Sequence, residues 1–252
     1  MKNLRKWLPR ILLVLVLLLI VGMIGFAVWG INGLAPDDTA KAALTNQGGV
    51  TVTESNDLYT FLPSGPSPTV GFIFYPGGRV LPGAYAPYMR DFAKQGYAAF
   101  IVKMPLNFAI FGISRADDVI KANPQIKTWV IGGHSLGGSM AAQYVAGTDK
   151  ISGIVFWGSY TPADLSKKKL AVLSVFGGND GVLNQKAAAD AQKLLPPDAQ
   201  SVTIEGSNHA FFGYYGPQDG DKPATITHEA AATQIEAATL AFLQKVSGAQ
   251  GS

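Results

Sequence analysis

From Ile11 to Ile31 the chain runs for 21 residues without a charge, and every residue in the run other than glycine is apolar. A lone segment of this kind satisfies its backbone groups in lipid only as a helix. At 1.5 Å per residue it spans roughly 31 Å, about one hydrocarbon core. Trp7 and Trp29 lie near its two ends, where aromatic rings favour the membrane interface. Lys2, Arg5, Lys6 and Arg10 precede the run, and the first acids, Asp37 and Asp38, follow it. Cations stay on the cytoplasmic side. The expected topology is a single-pass membrane protein with a cytoplasmic N-terminus and an extracytoplasmic domain. A cleaved signal peptide is the rival reading. Its apolar region runs about 7–15 residues before a small-x-small site. Here the run is longer, and Pro36 follows Gly33-Leu34-Ala35 directly, which favours an uncleaved anchor.

The anchor also explains the basic balance. With residues 1–10 set aside, 16 basic side chains face 17 acidic ones. A nucleic-acid partner calls for a basic patch or stripe, and the one lysine run, Lys167-Lys168-Lys169, reads as a solvated loop. The chain has no cysteine, which excludes disulfides, thiolate metal sites and cysteine nucleophiles.

Residues 1–31 thus form a basic stub and transmembrane helix, and the small, polar residues 32–48 read as a short linker. Residues 49–252 are long enough for one domain. Apolar strand-like runs are expected at Val50–Thr53, Leu58–Leu62, Val70–Tyr75, Tyr97–Val102, Thr128–Ile131, Ile151–Trp157, Leu170–Phe176 and Ser201–Ile204. Helical spacing separates them at Tyr85–Lys94, Ser114–Ala122, Leu136–Ala146 and Gln185–Leu195, and a long final helix covers Thr227–Val246. Ser114 with Asp117 resembles an N-cap with an acid at the third position. Continuous apolar strands alternating with helices indicate an α/β fold, a mostly parallel central sheet with helices on both faces. In such sheets the functional loops lie beyond the carboxyl ends of the strands.

One loop there carries Gly133-His134-Ser135-Leu136-Gly137, a G-x-S-x-G pattern. The pattern alone is weak, but here a strand precedes it and a helix follows, as a nucleophile elbow requires. A phosphate-binding loop would need a lysine before the hydroxyl residue, and Gly138-Ser139 has none. Ser135 needs a base to take its proton. Of the three histidines, His134 adjoins the serine, so their side chains point apart. His228 opens the final helix beside Glu229 and reads as a surface residue. His209 follows the strand Ser201–Ile204 in a carboxyl-end loop and is the expected base. The base needs an acid to hold its tautomer. Asp180, in the loop after Leu170–Phe176, is preferred over Asp164, which no strand leads into directly. An oxyanion hole needs two donors. The Leu136 N–H at the helix start is one. Gly77 or Gly78, after the strand Val70–Tyr75, supplies the other, because Pro76 has no N–H. Tyr214 and Tyr215 are close enough in sequence to line the pocket, or to form a packed surface loop.

These residues, with Tyr75-Pro76-Gly77-Gly78, Asn179-Asp180-Gly181 and Asn208-His209-Ala210, resemble the α/β-hydrolase superfamily across roughly residues 50–246. Within it the chain looks like the small capless bacterial hydrolases of the dienelactone-hydrolase-like and lipase-like branches. The resemblance implies a triad of Ser135, Asp180 and His209. Two departures stand out. The dienelactone branch uses a cysteine nucleophile, and the His-Gly that often opens the oxyanion loop is Tyr75-Pro76 here. Only Gly158–Lys169 separates the two strands between which a cap would insert, so an open site is expected, suited to small or surface-displayed esters. The expected function is a membrane-anchored serine hydrolase cleaving a carboxylic ester through an acyl-enzyme, with no metal or organic cofactor. Its expected partners are an ester or acyl substrate and the bilayer around residues 11–31. The same parts serve a thioesterase or acyltransferase, and a non-catalytic membrane-tethered binding protein on this fold is the competing class.

Overall fold

A computed structural model describes residues 2–248. The first helix, α1 (Lys2–Ile31), contains an apolar span of 23 residues, Pro9–Ile31. Its large apolar side chains from Ile11 to Ile31 are exposed, so the rest of the chain leaves them uncovered. A helix that is apolar all round and unburied by protein is a candidate transmembrane span.

The next stretch differs from the expected free linker. It carries a short helix, α2 (Asp38–Ala43), capped by the Asp37 carboxylate, which accepts the Ala40 N–H at 2.8 Å. Ala40 and Ala43 are buried. The Arg90 guanidinium donates to the carbonyls of Ala43, Thr45 and Gln47, which fastens the segment to the domain by its backbone. Its small polar residues gave no apolar pattern from which docking could be read.

The strands are β1 (Val50–Glu54), β2 (Leu58–Pro63), β3 (Val70–Tyr75), β4 (Ala98–Val102), β5 (Thr128–His134), β6 (Gly153–Trp157), β7 (Ala171–Gly177) and β8 (Gln200–Ile204). They form one sheet in the order β1-β2-β4-β3-β5-β6-β7-β8. The pairs β1–β2 and β2–β4 are antiparallel and all others parallel. Strands β3, β4, β5 and β6 are buried along their whole length, which is why they read as unbroken apolar runs.

The remaining helices are α3 (Ala86–Lys94), α4 (Ala116–Ala122), α5 (Leu136–Ala146), α6 (Gln185–Ala191) and α7 (His228–Gly248). Helices α3 and α7 pack on one face of the sheet around Phe72, Phe74, Trp157 and Val175. Helices α4 and α5 cover the other face, around Ile73, Phe100, Ile131 and Phe156. Each large side chain buried this way stabilises the fold by about 1.5–3 kcal/mol. The two faces together fix the sheet's carboxyl edge, from which the functional loops emerge.

Two local expectations differ from the structure. Ser114 does not cap a helix, because 3-10 turns occupy Ala109–Phe111 and Ile113–Arg115 and the helix begins only at Ala116. Asp117 instead accepts from the Tyr144 hydroxyl and pairs with Lys150. His228 is half-buried rather than a plain surface residue. Its ring lies edge-on to Tyr214 and Phe211, and its Nε2 donates to the Gly213 carbonyl at 3.0 Å.

Candidate active site

Ser135 stands between β5 and α5 with φ 51° and ψ −124°. That backbone is strained for a residue with a side chain, at a cost of about 1–3 kcal/mol, and has the sharp strand-to-helix turn expected of a nucleophile elbow. The flanking glycines are steric necessities. A Cβ at Gly133 would strike the Gly137 backbone, and one at Gly137 would strike the carbonyls of Tyr75 and Pro76. The turn is held from both sides of its peptide. The Ser135 N–H donates to the Trp157 carbonyl at 3.0 Å, and the Ser159 hydroxyl donates to the Ser135 carbonyl at 2.6 Å.

The loop after β7 brings Asp180 under the loop after β8. Asp180 Oδ2 lies 2.7 Å from His209 Nδ1, and both side chains are buried. The other carboxylate oxygen accepts the N–H groups of Val182 and Leu183 at 2.9 and 2.8 Å. With Oδ1 occupied by the backbone, Oδ2 is left to orient the ring, and the Nδ1–H tautomer follows. Nε2 of His209 has no hydrogen-bond partner among the described residues. His209 lines a cleft of about 280 Å³ together with Ser135, Leu136, Ser159, Tyr160, Val182 and Leu183. No hydrogen bond joins Ser135 Oγ to His209 here; such contacts tighten when substrate is bound. A larger cavity of about 440 Å³ near Lys167–Leu170 lies at the amino ends of β6 and β7, the end of an open α/β sheet that does not bind ligands.

Several residues of this site gave no sequence signal. Asp221 ties the acid loop to the histidine loop, since its Oδ1 accepts the Gly181 N–H at 2.9 Å and its Oδ2 the Ala210 N–H at 2.8 Å. Gly158 has φ +49°, and a Cβ there would approach both Asp180 Oδ2 and His209 Nδ1 to 3.2 Å. Neither role is local in sequence, so no motif announces it.

His134 points away from the cleft into the core. Its ring packs 4.4 Å from the His209 ring, and its Nδ1 lies 2.9 Å from the Tyr85 hydroxyl. Burial first, and then the neighbouring His209, hold it well below the ordinary histidine value, so it is neutral. Burial also pushes the Tyr85 phenol up. The Tyr85 oxygen accepts the Gly77 N–H at 3.0 Å, and the same hydroxyl lies 2.9 Å from His134 Nδ1. The Gly77 N–H is therefore turned inward and occupied. The Gly78 N–H has no partner among the described residues, and neither does that of Leu136, the first residue of α5. A Cβ at Gly78 would lie 3.4 Å from Leu136 Cδ2 and 3.7 Å from Phe108 Cδ1, so the two free donors are neighbours. Tyr215 is buried against this cluster, and Tyr214 packs on Tyr88 and His228. Neither tyrosine is among the residues lining the cleft. Asp164 lies in an exposed loop, where it caps Ser166.

Beyond Gly78 the loop is fastened to the end of α1. Arg79 has φ 60°. Its Nε donates to the Trp29 carbonyl and its Nη2 to the Asn32 carbonyl, both at 3.1 Å, and the guanidinium lies 4.1 Å over the Trp29 ring. The Arg79 carbonyl accepts the Leu34 N–H at 2.6 Å, and a Cβ at Gly33 would collide with it. Asn107 completes the clamp, accepting the Arg79 N–H at 2.8 Å and donating to the Gly30 carbonyl at 3.0 Å.

Solved structures of similar fold come from several organisms. A predicted CIB-like hydrolase of Thermoplasma acidophilum is 16% identical, with a TM-score of 0.60, over 78% of this chain and 100% of that one. A putative dienelactone hydrolase of Klebsiella pneumoniae is 16% identical, with a TM-score of 0.54, over 78% and 97%. A carboxylesterase of Bacillus subtilis is 13% identical, with a TM-score of 0.51, over 69% and 89%. Among curated protein sequences none matches the chain. The family model described as "Alpha/beta hydrolase family" matches residues 71–233, well over half of the sequence and the whole stretch from β3 past His209, and the chain belongs to that family.

Proposed function

We propose that this protein is a membrane-anchored serine hydrolase that cleaves a carboxylic ester through an acyl-enzyme. Family membership and esterase-like neighbours support a hydrolase. The observation that carries the finer reading is the buried Asp180–His209 pair, whose histidine keeps one nitrogen unpartnered and lines a cleft together with a serine on a strained turn.

In this mechanism Ser135 Oγ attacks the ester carbonyl carbon while His209 Nε2 takes its proton. Asp180 stabilises the imidazolium and keeps its orientation. The N–H groups of Leu136 and Gly78 receive the oxyanion, Gly77 being committed to Tyr85. Collapse breaks the bond to the alcohol oxygen, which leaves with the proton from His209. Water then attacks the acyl-enzyme, giving its proton to His209, and collapse releases the carboxylic acid and restores Ser135. In the anchoring half of the proposal α1 crosses the bilayer with its basic end in the cytoplasm. The docking of residues 29–34 on the domain supports retention of the segment.

The test is labelling of the full-length protein in detergent with a fluorophosphonate, mapped by mass spectrometry. The expected adduct is on Ser135, absent in Ser135→Ala and slowed at least a hundredfold in His209→Ala, general bases contributing about 10²–10⁴-fold. A folded protein that takes no adduct overturns the reading in favour of a binding protein.

A further inference from the structure

Outside α1, only three large apolar side chains are exposed among the described residues, namely Ile110 at 52%, Phe111 at 53% and Val182 at 37%. All three belong to the surroundings of the site. Val182 lines the Ser135 cleft. Ile110 and Phe111 sit on the loop Pro105–Phe111, whose Phe108 reaches Gly78.

This loop is also continuous with the apolar surface of α1. The Phe108 ring stacks on Phe26 with centroids 5.4 Å apart and lies 5.7 Å from Trp29. Phe111 meets Phe26 edge-on at 6.3 Å. Phe26 precedes the end of the span, Ile31, by five residues, or about 7.5 Å along the helix axis. Where α1 crosses a bilayer up to Ile31, the Phe108 and Phe111 rings beside Phe26 therefore lie below the level at which it leaves the apolar phase. In water, Ile110 and Phe111 would be an exposed patch of a kind that marks an interaction surface. The surface beside them is already one that only lipid suits.

We propose that the loop Pro105–Phe111 is immersed in the same bilayer that α1 crosses, so that the Ser135 cleft takes esters whose acyl chains lie in that bilayer. The inference rests on the anchored-hydrolase reading. It adds that the cleft is held at the membrane surface by two contacts, α1 and the loop, and that substrate enters sideways from lipid. Phe108 is the shared element, stacking on Phe26 on the lipid side and lying 3.7 Å from where a Cβ at Gly78 would stand on the other.

The native absence of cysteine makes a site-specific test direct. Single cysteines at Ile110, Phe111, mid-span Leu18 and remote Lys186 are labelled with a bimane fluorophore on the full-length protein in phosphatidylcholine nanodiscs. Quenching by brominated acyl chains is then compared with quenching by aqueous iodide. Lipid quenching at Ile110→Cys and Phe111→Cys, with iodide quenching reduced at least fivefold relative to Lys186→Cys, is expected. Lipid quenching at Leu18→Cys alone overturns the inference and leaves the anchor standing; its absence at all positions overturns both. A second measurement reads delivery. The rate of Ser135 labelling by a hexadecyl fluorophosphonate carried in the nanodisc is divided by that of a short soluble one. Ile110→Asp combined with Phe111→Asp is expected to lower this ratio about tenfold. An unchanged ratio overturns entry from lipid, and no labelling by the short reagent counts against the hydrolase reading instead.

Discussion

The acid and histidine of the site are held from inside the sheet, whereas the glycines facing them are held from outside it. Asp180 and His209 stand at the ends of the adjacent strands β7 and β8, and Asp221, Val182 and Leu183 pin them with backbone hydrogen bonds. The hydrogen-bond partners of this half lie between residues 177 and 223, and the His134 ring packs on His209. The proposed oxyanion loop is anchored within the domain at Gly77, through Tyr85, and at Arg79, through the Asn107 carbonyl. Beyond Gly78 its partners are the Asn107 carbonyl and, from the end of α1 and the residues after it, Trp29, Asn32 and Leu34. One half of the candidate site is held by the domain's own loops, and the other half partly by the segment at the end of α1.

Substitutions in the two halves separate these modes of support. The largest effect is expected for Asp180→Asn, which keeps the shape but reverses the tautomer of His209. It should lower kcat on a soluble ester about 10⁴-fold without changing the melting temperature much. Arg79→Ala comes next. A missing oxyanion donor costs about 10²–10³-fold in kcat, and a loosened one less, so a fall of about 10- to 100-fold is expected with KM changed little. Arg79→Lys should not rescue it, since a lysine cannot make the forked contacts to Trp29 and Asn32. An Arg79→Ala enzyme with full kcat would show that the loop needs no outside support. Tyr85→Phe releases the Gly77 N–H from its buried partner and should reduce kcat about tenfold, half of the loop's support being left in place.

The smallest effect concerns pH. Burial lowers His134 well below 6.5, and His228 is lowered by its own burial. The unfolded chain therefore binds more protons than the folded one below that value, and stability falls as the pH drops through it. His134 alone should account for about 1 kcal/mol between pH 6.5 and 5.5. Burial raises Glu236, which acts in the opposite sense, so the comparison of wild type with His134→Gln by thermal melting isolates the histidine. Equal slopes for the two proteins would remove His134 from the account.

Much of the sheet was readable because its central strands are buried on both faces. Val70–Tyr75 falls exactly where the apolar run stops at Pro76, and the loops carrying Ser135, Asp180 and His209 were located by the strands that precede them. The structure brings Asp180 and His209 into contact and places both His209 and Ser135 on one cleft. The choice between Gly77 and Gly78 was closed to sequence reasoning. It turns on Tyr85, eight residues away, and on His134, whose neighbouring serine drew attention from it. Asp221 was invisible for the same reason: it acts through backbone N–H groups that carry no residue signature. The docking of residues 32–48 carries little sequence signal because carbonyls held by Arg90 and a few small or isolated apolar side chains fasten them, with no periodic apolar run.

The attachment of Arg79 to residues 29–34 also bears on the life history of the molecule. A protease cutting after Ala35 would release a domain whose core, acid and histidine are complete, yet whose oxyanion loop has lost its outer wall. Shedding would then be inactivation rather than secretion. On the anchored-hydrolase reading proposed above, cutting the chain there would cost activity together with attachment.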